Sequence, residues 1–261
     1  MSEIKQIAIV GAGRVAHQLA PALQSRGVEI VGVYGRNSQQ ADRLAHKLHT
    51  SVLPKLDGRI KADLILLTVS DDAIAAVAQR LHPATKALVA HTSGAVNIDA
   101  IPGSLRKAVF YPLQSFSIDK QVVWENVPFC IEADDDSDLN ALGALADLLS
   151  SKVYILSSEQ RKNLHLAAVF ANNFANLMYE FSEELLHTAG IDRTILHPLI
   201  LETANKVLMQ TAAQSQTGPA SRGDLETIKA HQYLLPTESI YRKVYDILTD
   251  EILRRNHGSK L

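Results

Sequence analysis

What the chain has little of narrows its class first. Cys130 is the single cysteine among 261 residues, which excludes an intrachain disulfide and a cysteine-rich zinc site. It stands in the apolar run Val127-Pro128-Phe129-Cys130-Ile131, the setting of a small core residue rather than of a nucleophile. Neither sign of charge is in excess: 26 Lys and Arg face 28 Asp and Glu, a net charge of −2. Without a basic surplus little is available to neutralise a phosphate backbone, so nucleic acid is not an expected partner. No apolar run approaches the ~18 residues of a transmembrane helix, and the opening MSEIKQIAIV lacks the apolar core of a signal peptide. No membrane partner is expected, and the expected location is the cytoplasm. Ser259-Lys260-Leu261 has the form of a peroxisomal address, but that address is read only in eukaryotic cells and nothing else in the chain points to one. Repeats and low-complexity segments are lacking too.

What is present is ordinary globular material, 46% apolar and 21% charged, which excludes a disordered, collagen-like or coiled-coil chain. The length suits one large domain or two modest ones. Through residue 156 the pattern alternates. Short Val/Ile/Leu-rich runs at 6–11, 29–34, 62–69, 87–91, 107–111, 127–132 and 152–156 read as buried parallel strands, with 51–53 as a short addition. Helical periodicity at 14–25, 38–49, 71–81 and 137–150 separates them. Strands alternating with helices predict an α/β fold with a doubly wound, Rossmann-type sheet over residues 1–156. From 157 to 261 strand signals stop, which predicts an all-helical second domain. Its expected parts are a long helix over 158–189 capped by Ser157 or Ser158, and a second over 192–214 in which Pro198 marks a kink or a start. A turn-rich loop follows at 217–224, then a helix over 225–235 capped by Asp224, and a last helix opened by Thr237 or Glu238 and running to 256.

The most informative motif is Gly11-Ala12-Gly13-Arg14-Val15-Ala16, between the first strand and the first helix. In that context the pattern is a dinucleotide fingerprint. Gly11 permits the tight turn, Gly13 lets backbone N–H groups approach a pyrophosphate, and Ala16 keeps helix and strand close. The helix N-terminus adds its positive dipole end. An acid at the end of the second strand would accept from a ribose 2′-hydroxyl and indicate NAD. The strand ends instead in Val33-Tyr34-Gly35-Arg36-Asn37-Ser38. Arg36, flanked by Asn37 and Ser38, suits a 2′-phosphate, so NADP is expected over NAD. Three further strands end in polar clusters at the same carboxyl edge: Thr68-Val69-Ser70, His91-Thr92-Ser93 and Tyr111-Pro112-Leu113-Gln114-Ser115. The first two are candidates for cofactor contact. Tyr111, Gln114 and Ser115 are candidates for substrate contact.

Taken in order, GAGRVA, YGRNS, TVSDD, HTSG, YPLQSF and TGPASRGD resemble one family. It comprises Rossmann-like proteins with an uncharacterised helical C-terminal domain, described as NADP oxidoreductases and related to the deazaflavin-dependent NADP reductases. The resemblance spans essentially the whole chain. More distantly the chain is similar to pyrroline-5-carboxylate reductase, ketopantoate reductase and the β-hydroxyacid dehydrogenases. Those relatives pair a Rossmann domain with a helical domain that often forms the dimer. The resemblance implies an NADP-linked reductase and leaves its substrate open.

The long helix carries His165, Asn172 and Asn176 at i, i+7 and i+11 on an otherwise apolar surface, with Asn173 at the edge of that stripe. Polar groups there need partners, which a ligand, a wet cleft or a polar network between domains or subunits would supply. The β-hydroxyacid dehydrogenases place a catalytic lysine one turn before an asparagine on the equivalent helix. Here Lys162 is followed at i+4 by Leu166, so His165 is the expected proton donor, assisted by Asn172 and Asn173. Arg222 in the 217–224 loop offers a fork to an anionic substrate group or to carbonyls of a rigid corner. The expectation is an NADP(H)-dependent oxidoreductase for a small polar carbonyl or imine. Its rivals are a non-catalytic NADP-binding sensor or assembly protein, and hydride exchange with a deazaflavin. Apolar stripes on several helix faces, among them Phe170, Phe174, Leu177 and Ile247, predict a homodimer through the helical domain.

Overall fold

A computed structural model describes residues 3–56, 60–117 and 120–258, so the Ser259-Lys260-Leu261 signal lies outside the described residues. The chain forms two compact units, Met1–Val169 and Phe170–Leu261.

The first unit is built on a seven-stranded sheet of order β2-β1-β3-β4-β5-β6-β7. Its strands are β1 Gln6–Val10, β2 Glu29–Tyr34, β3 Leu64–Leu67, β4 Leu88–His91, β5 Lys107–Pro112, β6 Phe129–Ala133 and β7 Val153–Ile155. The first five pair in parallel. β6 runs antiparallel to β5, with Tyr111 opposite Cys130, which corrects the all-parallel expectation. An apolar run records burial on both faces and carries no sign of direction; only the path of the connection decides that. Residues 51–53 contribute a single bridge, Val33 to Val52, rather than a strand.

Side chains of successive strand residues point to opposite faces, and both faces are buried. Ile7, Ile9, Leu64, Leu66, Ala90 and Phe110 meet the helices α1 Arg14–Ser25, α2 Ser38–Lys47 and α4 Asp136–Asp147. Ala8, Val10, Ile65, Leu67 and Val89 meet the short α3 Ile74–Ala78 and the 98–105 segment. The sheet is therefore doubly wound, with Cys130 a buried residue of β6. Pro21 lies inside α1 and cannot donate to the carbonyl of His17, four residues earlier. The Lys47 ammonium of α2 donates to that carbonyl at 3.3 Å.

The expected helix over 158–189 is three elements. α5 Ser158–Ala168 opens with a Ser157–Gln160 capping box, a π-helical stretch follows at Val169–Phe174, and α6 spans Ala175–Thr188. The all-helical texture begins at 157, but the boundary between compact units falls at Val169/Phe170, because the first turns of α5 bury Ser158 and Arg161 in the first unit.

The second unit continues through a 3-10 turn at Arg193–Leu196 to α7 His197–Met209, where Pro198 occupies the helix start that suits it. Then come α8 Ala212–Ser215, α9 Pro219–Arg222, α10 Leu225–Leu234 and α11 Ile240–His257. Asp224 caps α10 by accepting from the Thr227 amide. α11 is capped by Ser239, not by Thr237 or Glu238. The 217–224 segment is a corner containing α9; its Ser221 carbonyl meets His257 Nε2 of α11 at 3.1 Å. Polar contacts join the helices further: Arg242 and Gln232 converge on Asp246, and the Tyr241 hydroxyl donates to Glu184. No helix among the described residues is long and apolar enough to cross a membrane.

Candidate functional site

The β1–α1 turn has a shape that only a few residues permit. Gly11 sits at φ +113°, and a Cβ there would lie 2.6 Å from the Thr68 carbonyl oxygen, so neither the dihedral nor the space admits a side chain. The Gly11 amide donates to the Tyr34 carbonyl at 2.7 Å, and the buried Thr68 hydroxyl donates to the Gly11 carbonyl at 2.9 Å. α1 then begins at Arg14 with Gly13 as its N-cap, with no side-chain cap and no acid in its first turn. Its leading N–H groups and dipole end are thus left for an anion. Ala12 and Val15 pack on the core, and Arg14 is exposed beside the turn. This backbone cradle, closed to a Cβ at Gly11, fits a pyrophosphate.

At the end of β2 the exposed Arg36 has no hydrogen-bond or ion-pair partner among the described residues. Asn37 spends its side-chain oxygen on the Gln40 amide as the cap of α2, and Ser38 is the exposed first residue of that helix. A free guanidinium at this carboxyl edge fits a 2′-phosphate.

The clusters at the ends of β3 and β4 serve the backbone more than the crevice. Val69 packs on the core and Ser70 is exposed. Thr92 donates to the Leu67 carbonyl at 3.3 Å, while the Ser93 hydroxyl accepts from the Ala95 and Val96 amides at 3.1 and 3.0 Å. His91 is completely buried, and its Nδ1 accepts from the Ser93 amide at 3.2 Å. Burial first and the Arg161 charge second lower its pKa to about 4, against a smaller opposing effect of the Asn97 backbone. The imidazole at this strand end is thus buried and neutral at physiological pH.

Beyond them two expected residues come together. Tyr111 at the end of β5 places Oη 3.3 Å from Nδ1 of His165 on α5, with the rings edge-on at 69° and centroids 6.2 Å apart. Both side chains are half-buried. They rest on the Gly94 backbone: a Cβ on Gly94 would fall 2.6 Å from His165 Nδ1 and 2.9 Å from Tyr111 Oη. Burial pushes the Tyr111 phenol up to about 12, Cys130 and Asp71 add to this, and Arg161 opposes it. Gln114 and Ser115 are exposed just past the strand, where the Gln114 side chain accepts from the Ser115 amide at 2.8 Å.

The element that holds His165 in place escaped the sequence reading. Arg161, one turn earlier on α5, is fully buried; it pairs with Glu132 of β6 and donates to the Val96 carbonyl and, at 3.1 Å, to the Ser158 hydroxyl. Glu132 also accepts from the Ser158 amide and hydroxyl at 2.9 and 2.8 Å. One ion pair thus ties α5 to the sheet and to the segment that carries Gly94. The available signal was an acid closing the apolar strand Phe129-Cys130-Ile131-Glu132, because a carboxylate there needs a partner. Asn172, Asn173 and Arg222 belong to the second unit, where all three are exposed. Asn172 and Asn173 fall in the π-helical stretch, so the α-helical period that aligned them with His165 does not run through their positions.

Family models of a Rossmann-like domain and of a domain of unknown function, DUF2520, match residues 2–113 and 127–252. The crystal structure of the "putative NADP oxidoreductase" of Bacteroides fragilis is 35% identical, with a TM-score of 0.86 over 97% of this chain and 99% of that one. The chain belongs to the Rossmann-like DUF2520 family. The family fold extends to proteins far removed in sequence. Pyrroline-5-carboxylate reductase of Coxiella burnetii shares 17% identity and a TM-score of 0.60, covering 97% of this chain and 93% of that one. A reductive aminase of Aspergillus terreus, solved with NADPH and ethyl levulinate, shares 12% identity and a TM-score of 0.74, covering 99% and 95%. At such identities the likeness is one of fold. No curated protein matches the DUF2520-family chain.

Proposed function

We propose that this chain is an NADP(H)-dependent oxidoreductase that reduces a small polar carbonyl or imine. The observation that carries the reading is one sheet edge. It holds an uncapped helix N-terminus behind Gly11, an unpaired Arg36 and, at the end of β5, the Tyr111–His165 contact. The first two support a phosphorylated dinucleotide, and the third supports proton chemistry on its substrate. The names of the Bacteroides and Aspergillus proteins, an NADP oxidoreductase and an NADPH-bound reductive aminase, support the same cofactor.

In this reading Gly11, Ala12, Gly13, Arg14 and Val15 hold the pyrophosphate, and Arg36 with Asn37 and Ser38 holds the 2′-phosphate. The backbone around Thr68, Val69, Ser70, His91, Thr92 and Ser93 lines the nucleotide crevice. NADPH supplies hydride when bound; the protein's part is to orient the acceptor and provide its proton. His165 is the source of that proton, and Tyr111, Gln114 and Ser115 contact the acceptor. The working form is a homodimer through the helical domain in the cytoplasm. Exposed Phe170, Leu199, Leu234 and Ile247 support the dimer, since so many large apolar side chains left in water favour association.

The test is NADPH consumption against a panel of 2-oxo acids, aldehydes and cyclic imines, beside NADPH and NADH titrations. NADPH-selective binding with turnover of one panel member is expected. Tight NADPH binding without turnover would instead support the sensor, and turnover restricted to a deazaflavin acceptor would support the third reading.

A further inference from the structure

The Tyr111–His165 contact has a built geometry that its two residues do not make alone. Tyr111 is delivered by β5 and backed by Cys130 across the β5–β6 ladder. His165 is delivered by α5, whose position is fixed by the buried Arg161 through Glu132 of β6 and the Val96 carbonyl. Beside them the Gly94 backbone leaves no room for a Cβ with the two rings where they are. Nδ1 of His165 therefore faces the phenol and the Gly94 backbone.

We propose that Tyr111 and His165 work as one proton-delivery couple: the phenol gives its proton to the substrate, and the imidazole restores it. This rests on the reductase reading and names the immediate donor within it. As hydride from the reduced nicotinamide adds to the substrate's C=O or C=N carbon, the heteroatom takes the Tyr111 O–H proton. Nδ1–H of His165 passes its proton to the phenolate oxygen as a solvent proton enters at Nε2, and exchange of the resulting Nε2–H tautomer with water restores the Nδ1–H form. One hydride and one solvent proton are consumed, and the phenol ends as it began.

Each partner supplies what the other lacks. A half-buried phenol keeps its proton through the physiological range, but a phenolate left there would be costly without a donor beside it. An imidazole can take a proton at one ring nitrogen while releasing one from the other, and here Nδ1 faces the phenol. The charged and titratable groups around the phenol are His165 and Arg161 from α5, Cys130 from β6 and Asp71 after β3. Arg161 and Gly94 are positioning residues, acting only through where they hold the two rings.

The experiment uses the full chain with ¹³C/¹⁵N-labelled histidine, first without cofactor. Tyr111→Phe should move the His165 ring resonances while near-ultraviolet circular dichroism stays native. NADPH affinity of Tyr111→Phe and His165→Gly should stay within about twofold of wild type. With 1-pyrroline, and with ethyl levulinate plus methylamine, as probes, Tyr111→Phe should lower kcat about 100-fold or more. His165→Gly should fall similarly and recover on adding imidazole, which Tyr111→Phe should not do. Unmoved His165 resonances, or full turnover in Tyr111→Phe, would overturn the couple alone. Wild type that binds NADPH and turns over neither probe nor any panel member would overturn the reductase reading, and the couple with it.

Discussion

The two compact units bury their apolar residues to very different extents. In the first, every central strand is packed on both faces, and residues such as Ile7, Leu19, Leu64 and Phe110 have lost all contact with solvent. In the second, only Ala220, Ile228 and Thr249 are buried among the described residues, while Leu208 is 81%, Met209 88% and Tyr233 91% exposed. Both have helices with apolar stripes; what differs is the sheet. A sheet gives several helices one broad surface to cover, and the second unit has no strand among its described residues. The second unit holds itself together with polar links such as Arg242–Asp246 and Gln232–Asp246 and leaves its apolar faces outward. A unit of this kind gains stability from association, and that is the physical ground of the proposed homodimer.

Four substitutions or conditions sharpen or break this contrast, the largest first. Arg161→Ala removes one partner of a buried ion pair in the self-sufficient unit and leaves Glu132 unpaired. It should cost about 3–5 kcal/mol in urea unfolding; a loss within error would mean that α5 is held by other contacts. The pH dependence comes next. The folded pKa of His91 is depressed to about 4 from 6.5, so the unfolded chain binds the extra proton first. Stability should be full above pH 6.5 and fall toward pH 4, by on the order of 3 kcal/mol. Urea midpoints across that window check this, and His91→Leu should flatten the slope.

Third, Arg36→Ala should weaken NADPH binding by about 1.5–3 kcal/mol through loss of a charge-assisted contact. It should leave NADH binding and the melting temperature unchanged, since Arg36 is exposed and unpaired; equal losses for both cofactors would count against the 2′-phosphate role. Last, Phe174→Glu puts a charge on an exposed apolar face of the second unit. Light scattering should report about twice the 28.5 kDa chain mass for wild type, and the variant should associate more weakly by about 2 kcal/mol. A wild-type mass of one chain, unchanged by tenfold concentration, would reject the dimer.

Short-range features were the readable ones. A Gly-x-Gly turn between a strand and a helix, a proline at the start of α7 and an aspartate capping α10 are local backbone requirements, written in residues close together in the chain. The doubly wound sheet was readable too, because strand and helix periods differ and alternate. Less was visible where the outcome rests on partners far apart. The reversed direction of β6 is set by the route of its connection. The π-helical turn at Val169–Phe174 has no proline or glycine to announce it. The Ser239 cap shows a boundary moved by one or two residues from the expected Thr237 or Glu238.

The candidate site divides along the same line. Gly11, Gly13 and Arg36 stand out in the primary structure, since a tight turn demands glycine and a strand end without an acid is a visible choice of charge. That Tyr111 meets His165, that Gly94 must be glycine to let them meet, and that Arg161 reaches Glu132 to hold the helix are consequences of packing. Residues separated by 54 and 29 positions are brought within hydrogen-bonding reach there. Sequence periodicity encodes which face of an element is apolar; which faces then touch is decided when the layers close, because only burial makes an unpaired carboxylate or phenol expensive enough to select its partner.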